Sequence, residues 1–212
     1  LGSLTHELKT PMTSIIGYSD TLLHVKISEE QQKKALEHIN SECRRLERLS
    51  GKMMTLIGLY DEDRIHKEPY PVDRLVREVA DLERYHMQDS QMDLLASSES
   101  WECEMDVDLM ESLLVNLLDN AIKASKPGSV IELHGEKGCI WVRDSGKGIP
   151  EEEIPRITEA FYMVDKSRSR KAGGIGMGLA LCQKIAEIHR ANLVIESVVG
   201  QGTKISVVFQ EE

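Results

Sequence analysis

Between Leu4 and Leu23 the apolar residues fall at Leu4, Leu8, Met12, Ile15, Ile16, Leu22 and Leu23, which is helical spacing. A charged break over 25–30 follows. In it Ser28 can cap a second helix, with Glu29 and Glu30 in the first turn. That helix carries Leu36, Ile39, Cys43, Leu46, Leu49, Met53, Leu56 and Tyr60, steps of three and four that make a heptad-like seam. Two helices with a short connection form an antiparallel hairpin. Its seams are too long to be hidden by one hairpin, and pairing two hairpins into a dimeric four-helix bundle would cover them. The stretch 61–71 is charged, contains Pro69 and Pro71, and is predicted as a linker.

Beyond the linker the periodicity changes. Helices are predicted over 72–85, 109–124 and 177–189, and strands over 101–105, 130–134, 139–143, 193–198 and 204–209. Gly200 and Gly202 fall in the last turn. The chain is therefore expected to be α+β: a helical hairpin over 1–66, then an α/β sandwich of helices on a mixed sheet over 67–212. The segment 150–172 is too long for an ordinary connection.

Composition narrows the classes. At 41% hydrophobic and 29% charged the chain can bury a core, and with only 4% aromatics that core must be aliphatic. A formal net charge of -10 gives no general electrostatic reason to bind nucleic acid. Cys43, Cys103, Cys139 and Cys182 form no CxxC pair, which favours reduced structural thiols over a disulfide framework or a zinc site. The sequence shows no apolar run of membrane-spanning length. It opens at Leu1 without Met, as a fragment is expected to.

Four groups of residues carry candidate chemistry. On a helical wheel, Leu8, Met12, Ile15 and Leu22 lie within roughly 80° of Leu4, whereas His6 falls at roughly 200°, on the polar side. Glu7 adjoins His6 and can hold its ring in the tautomer a nucleophile needs. Pro11 removes an N–H from this helix and should bend it. Asn116 and Asn120, four apart, share one helix face, and buried amides there need partners that phosphate oxygens and a hydrated metal would supply. Asp144, at a strand end, can accept from an amino group such as that of adenine, while Gly146 and Gly148 let the backbone turn beside it. Gly173, Gly174, Gly176 and Gly178 open a helix, whose N–H groups and positive end attract phosphate. No G-K-[ST] follows, so this is not a Walker loop. Taken singly, each group has a plainer reading: a solvent-facing histidine, structural amides, a turn, a flexible loop.

Their order and spelling change that. Residues 5–11 read T-H-E-L-K-T-P, and the chain resembles the sensor histidine kinases of two-component systems, whose H-box this string matches. L-L-V-N-L-L-D-N-A-I-K at 113–123 resembles their N-box, D-S-G-K-G at 144–148 and G-G-I-G-M-G-L at 173–179 their glycine boxes, and F-Y-M-V-D-K-S-R at 161–168 their F-box and ATP lid. Met177 and Ala124 depart from the family's usual residues, both conservatively. The resemblance spans nearly the whole chain and implies a Bergerat-type ATP-binding domain after a dimerisation and phosphotransfer hairpin. It implies His6 as phospho-acceptor, Glu7 as its assisting acid, and Thr10 as the residue that positions water for dephosphorylating the partner. It implies ATP and Mg²⁺ as cofactors. Asn120 would ligate the metal, and Asn116, Lys123, Lys166 and Arg168 would lie on the phosphates. Asp144, Gly146, Gly148, Phe161, Tyr162, Gly174, Gly176, Gly178, Leu179 and Thr203 would complete the nucleotide site. The implied partners are a second copy of the chain and a response-regulator receiver domain, with no nucleic acid and no direct membrane contact. The implied setting is the cytoplasmic portion of a bacterial protein, whose full length a membrane can anchor. An ATP-binding scaffold or an ATP-driven clamp are the competing readings, and the intact H-box and the short hairpin argue against them.

Overall fold

A computed structural model of the chain describes residues 2–59, 65–164 and 176–210, apart from the side chains at positions 2–4, 6 and 7. Helix α1 spans Gly2–His24, continuous through Pro11, and α2 spans Glu29–Gly58. Ser28 starts α2 as expected. Its hydroxyl accepts from the Gln31 N–H at 3.3 Å, and the Gln31 side chain accepts from the Ser28 N–H at 3.0 Å. This reciprocal box satisfies two donors that a helix start otherwise leaves unpaired. Tyr18 stacks on His38 between the helices at 4.9 Å, and Ala35 and Leu49 are buried. Elsewhere both helices leave apolar side chains in water: Leu23, Met54 and Ile57 are 76%, 69% and 60% exposed.

The remainder runs β1 (Glu68–Pro71), α3 (Val72–Asp89), β2 (Asp93–Ser98), β3 (Glu102–Met105), α4 (Val107–Ala124), β4 (Val130–Glu136), β5 (Cys139–Asp144), a 3₁₀ turn (Glu151–Arg156), α5 (Gly178–Ile188), β6 (Ala191–Val198) and β7 (Gly202–Phe209). The main sheet has the order β2-β4-β5-β7-β6, with β2 parallel to β4 and the other pairs antiparallel. The expected mixed sheet is present, β1 and β3 form a separate two-stranded sheet, and three features of this region depart from the sequence reading. The end of the predicted linker is a strand, β1, paired with β3. Its two prolines fit because a strand with a single neighbour need not donate on its free side. Strand β2 escapes the periodicity reading because most of it is exposed, with Leu94 partly buried, as an edge strand allows. The long connection after β5 begins with a 3₁₀ turn rather than irregular chain.

One face of the sheet carries the core. Inward residues line up across the ladders, Leu133 opposite Val142 and Val142 opposite Ile205, then Ile140 opposite Val207. Helices α3, α4 and α5 pack over the same core. From α4 come Met110, Leu113, Leu114, Leu117 and Leu118, each at most 1% exposed. Asp106 caps α4 by accepting from the Leu109 N–H at 3.1 Å, and its own N–H donates to Nε2 of buried His189 at 3.0 Å. His189 Nδ1 lies 2.7 Å from the Ile185 carbonyl, so a neutral ring satisfies both contacts, and burial lowers its pKa accordingly. The four cysteines are free thiols. Burial pushes Cys182 up to about 12 and Cys103 up to about 11, so both stay neutral and unreactive.

Leu114→Ala should cost about 3 kcal/mol of stability, because its side chain is fully enclosed. Ser28→Ala should cost about 1 kcal/mol through the lost cap. Urea titrations with an unchanged slope check both.

Candidate nucleotide-binding site

Helix α4 serves the core with one face and a cleft with another. Asn116 and Asn120 lie four apart beside the leucines, and both line a cavity of about 940 Å³ between α4, the end of β5 and the start of α5. Asn116 is oriented: its amide donates to the Ser112 carbonyl at 2.7 Å, which turns its oxygen outward. Asn120 is not satisfied internally. Its Nδ2 is buried and has no hydrogen-bond partner. A buried amide left unpaired costs roughly 1–3 kcal/mol, so its presence at a cavity wall points to a group that binds there. Lys123, one turn on, is exposed and sits 3.4 Å from Asp119.

Strand β5 delivers Asp144 to the same cavity, only 8% exposed. Its Oδ1 accepts from the Gly146 N–H at 2.7 Å. Burial raises its pKa, and hydrogen bonds from the backbones of Gly146 and Thr203 partly offset this. Those bonds leave acceptor capacity for a further donor. Gly146 does not line the cavity; it allows the loop to pass against α4, since a Cβ there would lie 2.5 Å from the Ala124 carbonyl oxygen. Gly148 does line it, at φ +67, where a side chain would be strained and would meet the Val198 carbonyl at 2.1 Å. Thr203 stands opposite Asp144 in β7 and is held through its hydroxyl, 2.9 Å from that of Ser197.

Gly176, Gly178 and Leu179 bring the start of α5 to the cavity, and a Cβ on Gly178 would lie 3.3 Å from Asn116 Oδ1. A side chain at 178 would press on the Asn116 amide, so glycine eases the close approach of this helix end. Tyr162 also lines the cavity; its hydroxyl donates to Glu153, and Arg156 covers its ring at 4.2 Å. Phe161 is placed elsewhere. Its N–H donates to the Gly176 carbonyl at 2.7 Å, and it packs against the cluster of Leu49 and Met177, as Leu8 and Met53 do, which joins this loop to the hairpin. Lys166, Arg168 and Gly174 lie outside the described residues, as do the side chains of His6 and Glu7, although both positions belong to α1. Thr10, further along α1, is half-buried.

Among the cavity residues that lie outside the motifs are Arg48 and Lys52 of α2 and His86 of α3. Lys52 Nζ donates to Asn116 Oδ1 at 2.9 Å. No local pattern marks them, because they reach the site only through the packing of separate elements.

Comparison with known proteins agrees with this layout. Residues 105–212 match the family described as histidine kinase-, DNA gyrase B- and HSP90-like ATPase, and residues 1–56 match the His kinase A phospho-acceptor domain. The sensor histidine kinase YkoH of Bacillus subtilis is 32% identical over 212 residues, covering 98% of this chain and 46% of its own length. The chain thus spans about half the length of that relative. The structure of the Acinetobacter baumannii histidine kinase AdeS superposes with a TM-score of 0.69 at 20% identity, over 97% of this chain and 98% of its own. Histidine kinase ThkA, solved in complex with the response regulator protein TrrA, gives a TM-score of 0.77 at 23% identity, over 96% of this chain and 58% of its own. At those identities the likeness is one of fold.

Asp144→Asn should separate stability from binding. A carboxyl whose folded pKa is raised destabilises the ionised fold, so its contribution is best below the ordinary value and is lost as pH rises through the raised one. The neutral variant should melt higher than the parent at pH 7 by differential scanning calorimetry, and it should no longer retain adenosine in equilibrium dialysis.

Proposed function

We propose, from the premise that this chain belongs to the two-component sensor histidine kinases, that it transfers the γ-phosphoryl group of ATP to its own His6. The observation that carries this is the cavity of about 940 Å³, with the buried, unpartnered amide of Asn120 in its wall, on the same chain as the phospho-acceptor motif. Membership of the ATPase family implies ATP as the ligand. In this reading Asp144 accepts from the adenine amino group, and the N–H groups that open α5, with Lys123, face the phosphates. The donor set suits Mg²⁺: Asn120 would offer an amide oxygen, the kind of ligand this hard cation prefers, while the Asn116 oxygen accepts from Lys52 and its side chain lies near the phosphates. Mg²⁺ held there would neutralise charge on the triphosphate. Lys166 and Arg168 are assigned to the same anionic group.

The acceptor nitrogen of His6 must be unprotonated. It forms the N–P bond as the bond from phosphorus to the bridging β–γ oxygen breaks, and ADP leaves with that electron pair. Glu7 favours the required tautomer by taking a hydrogen bond from the other ring nitrogen. The labile phosphohistidine then passes its phosphoryl group to an aspartate of a response regulator. ThkA was solved with such a partner. On α1, exposed Thr13 and Gly17 follow the motif and are assigned to regulator docking. Homodimerisation through the hairpin would cover the bare apolar side chains of α1 and α2, among them Leu23, Met54 and Ile57. Thr10 is assigned to positioning the water that dephosphorylates the regulator. Among the described residues no helix is long and apolar enough to cross a membrane.

Incubation with gamma-labelled ATP and Mg²⁺ tests the proposal. The expected label is acid-labile and base-stable, and absent from His6→Gln; label persisting in that variant excludes His6 as acceptor. Thr10→Ala should keep the label and slow loss of phosphate from the regulator about a hundredfold, the scale of one general acid–base or water-positioning group.

A further inference from the structure

Lys52 occupies an unusual electrostatic position. It belongs to the hairpin, yet its ammonium lies in the nucleotide cavity, bonded at 2.9 Å to the neutral oxygen of Asn116. It sits 3.8 Å from where a Cβ on Gly178 would stand, at the positive N-terminal end of α5. Lys123 repels it as well, and burial followed by that repulsion lowers its pKa. Among the described residues no carboxylate pairs with it; the nearby Asp119 is engaged by Lys123 at 3.4 Å and approached by His86 at 3.5 Å. Arg48, one turn before Lys52, lines the same cavity. Asp119 lines the same cavity and attracts Lys52, but it also serves Lys123 and His86, so a half-buried ammonium beside a helix N-terminus and a second lysine gains further from an anion bound in the cavity. The Nδ2 of Asn120, in the same wall, also lacks an acceptor.

The place of Lys52 along the hairpin adds to this. The helices are antiparallel, with Tyr18 stacked on His38. Leu8 packs into the cluster that contains Leu49 and Met177. This register sets position 6 of α1 level with the turn 48–52 of α2, so the cation that reaches the cavity leaves the hairpin at the height of His6.

We propose that Lys52 is a ligand of the nucleotide's phosphates, contributed by the hairpin, so that triphosphate in the cavity and docking of α2 on the ATP-binding domain stabilise each other. The proposal rests on the reading of the cavity as an ATP site. By linkage, a phosphate bound more tightly in the docked arrangement favours that arrangement to the same degree. Loss of the γ-phosphate then removes part of what holds α2 against α5, and transfer of the phosphoryl group becomes a signal for the two parts to separate. Lys52 in this role positions the substrate and takes no proton in the reaction.

Calorimetric titration of the 212-residue chain with ATP, ADP and adenosine tests this, using the parent, Lys52→Met and Lys52→Arg. The expected loss for Lys52→Met is about tenfold for ATP, the scale of one charge-assisted hydrogen bond. It should be smaller for ADP and absent for adenosine, and Lys52→Arg should recover most of it. Saturating ATP should slow hydrogen exchange at the amides of 49–56 in the parent and slow it less in Lys52→Met. Equal ATP affinity in the parent and Lys52→Met overturns the proposal. So does a loss as large for adenosine as for ATP, which would mark a structural role, and so does exchange that ATP slows equally in both. Failure of the underlying reading looks different: the parent itself would bind none of the three ligands, or Asp144→Asn would bind ATP as well as the parent does.

Discussion

Helix α4 must be apolar and polar at once, and the rest of the structure follows from how it meets that demand. Its leucines fill the space over the sheet, while Asn116 and Asn120, on a neighbouring strip of the same cylinder, form a wall of the cavity. Burying an amide without a partner opposes folding. The protein meets that cost unevenly: Asn116 is satisfied by Ser112 and Lys52, and Asn120 keeps its Nδ2 unpaired. The core thus fixes the helix's rotation, and the rotation fixes where two polar groups point.

The other walls depend on the same helix. The loop after β5 is tied to its C-terminal end by the Lys147 N–H donating to the Ala124 carbonyl at 3.1 Å, with the Asp144 carboxylate held just before it. Glycine at position 178 lets α5 come close to the two amides. Ionisation of Asp144 is opposed by its burial and supported by two backbone donors. That arrangement holds a carboxylate dry enough to discriminate between donors. The hairpin meets Phe161 and Met177 through Leu49 and meets Asn116 through Lys52, so the two parts of the chain share both an apolar contact and a charged one.

Much of this was legible before the fold was known. The hairpin, its Ser28 cap, α4 and the strand pairs over 130–143 and 193–209 carry strong periodicity or turn chemistry. The cavity residues Asn116, Asn120, Asp144, Gly148, Tyr162 and Gly178 stand in motifs whose spacing survives folding. What was not legible has physical causes. Strand β1 contains two prolines that speak against a strand, and its pairing with β3 decides the matter. Strand β2 buries too little to alternate. Phe161 belongs to a motif, but its left-handed backbone, φ 70, turns it toward Leu49 of the hairpin. Lys52 reaches Asn116 across 64 positions of sequence, a distance over which no local pattern speaks.

We propose that the polar strip of α4 serves a ligand and not the fold. The most direct measurement is made on Asn120→Ala, with thermal unfolding and Mg-ATP binding read on the same preparation. The expected result is a melting temperature equal to or above that of the parent, since a buried unpaired donor is removed, together with loss of Mg-ATP binding. A variant that melts well below the parent and still binds Mg-ATP would contradict it.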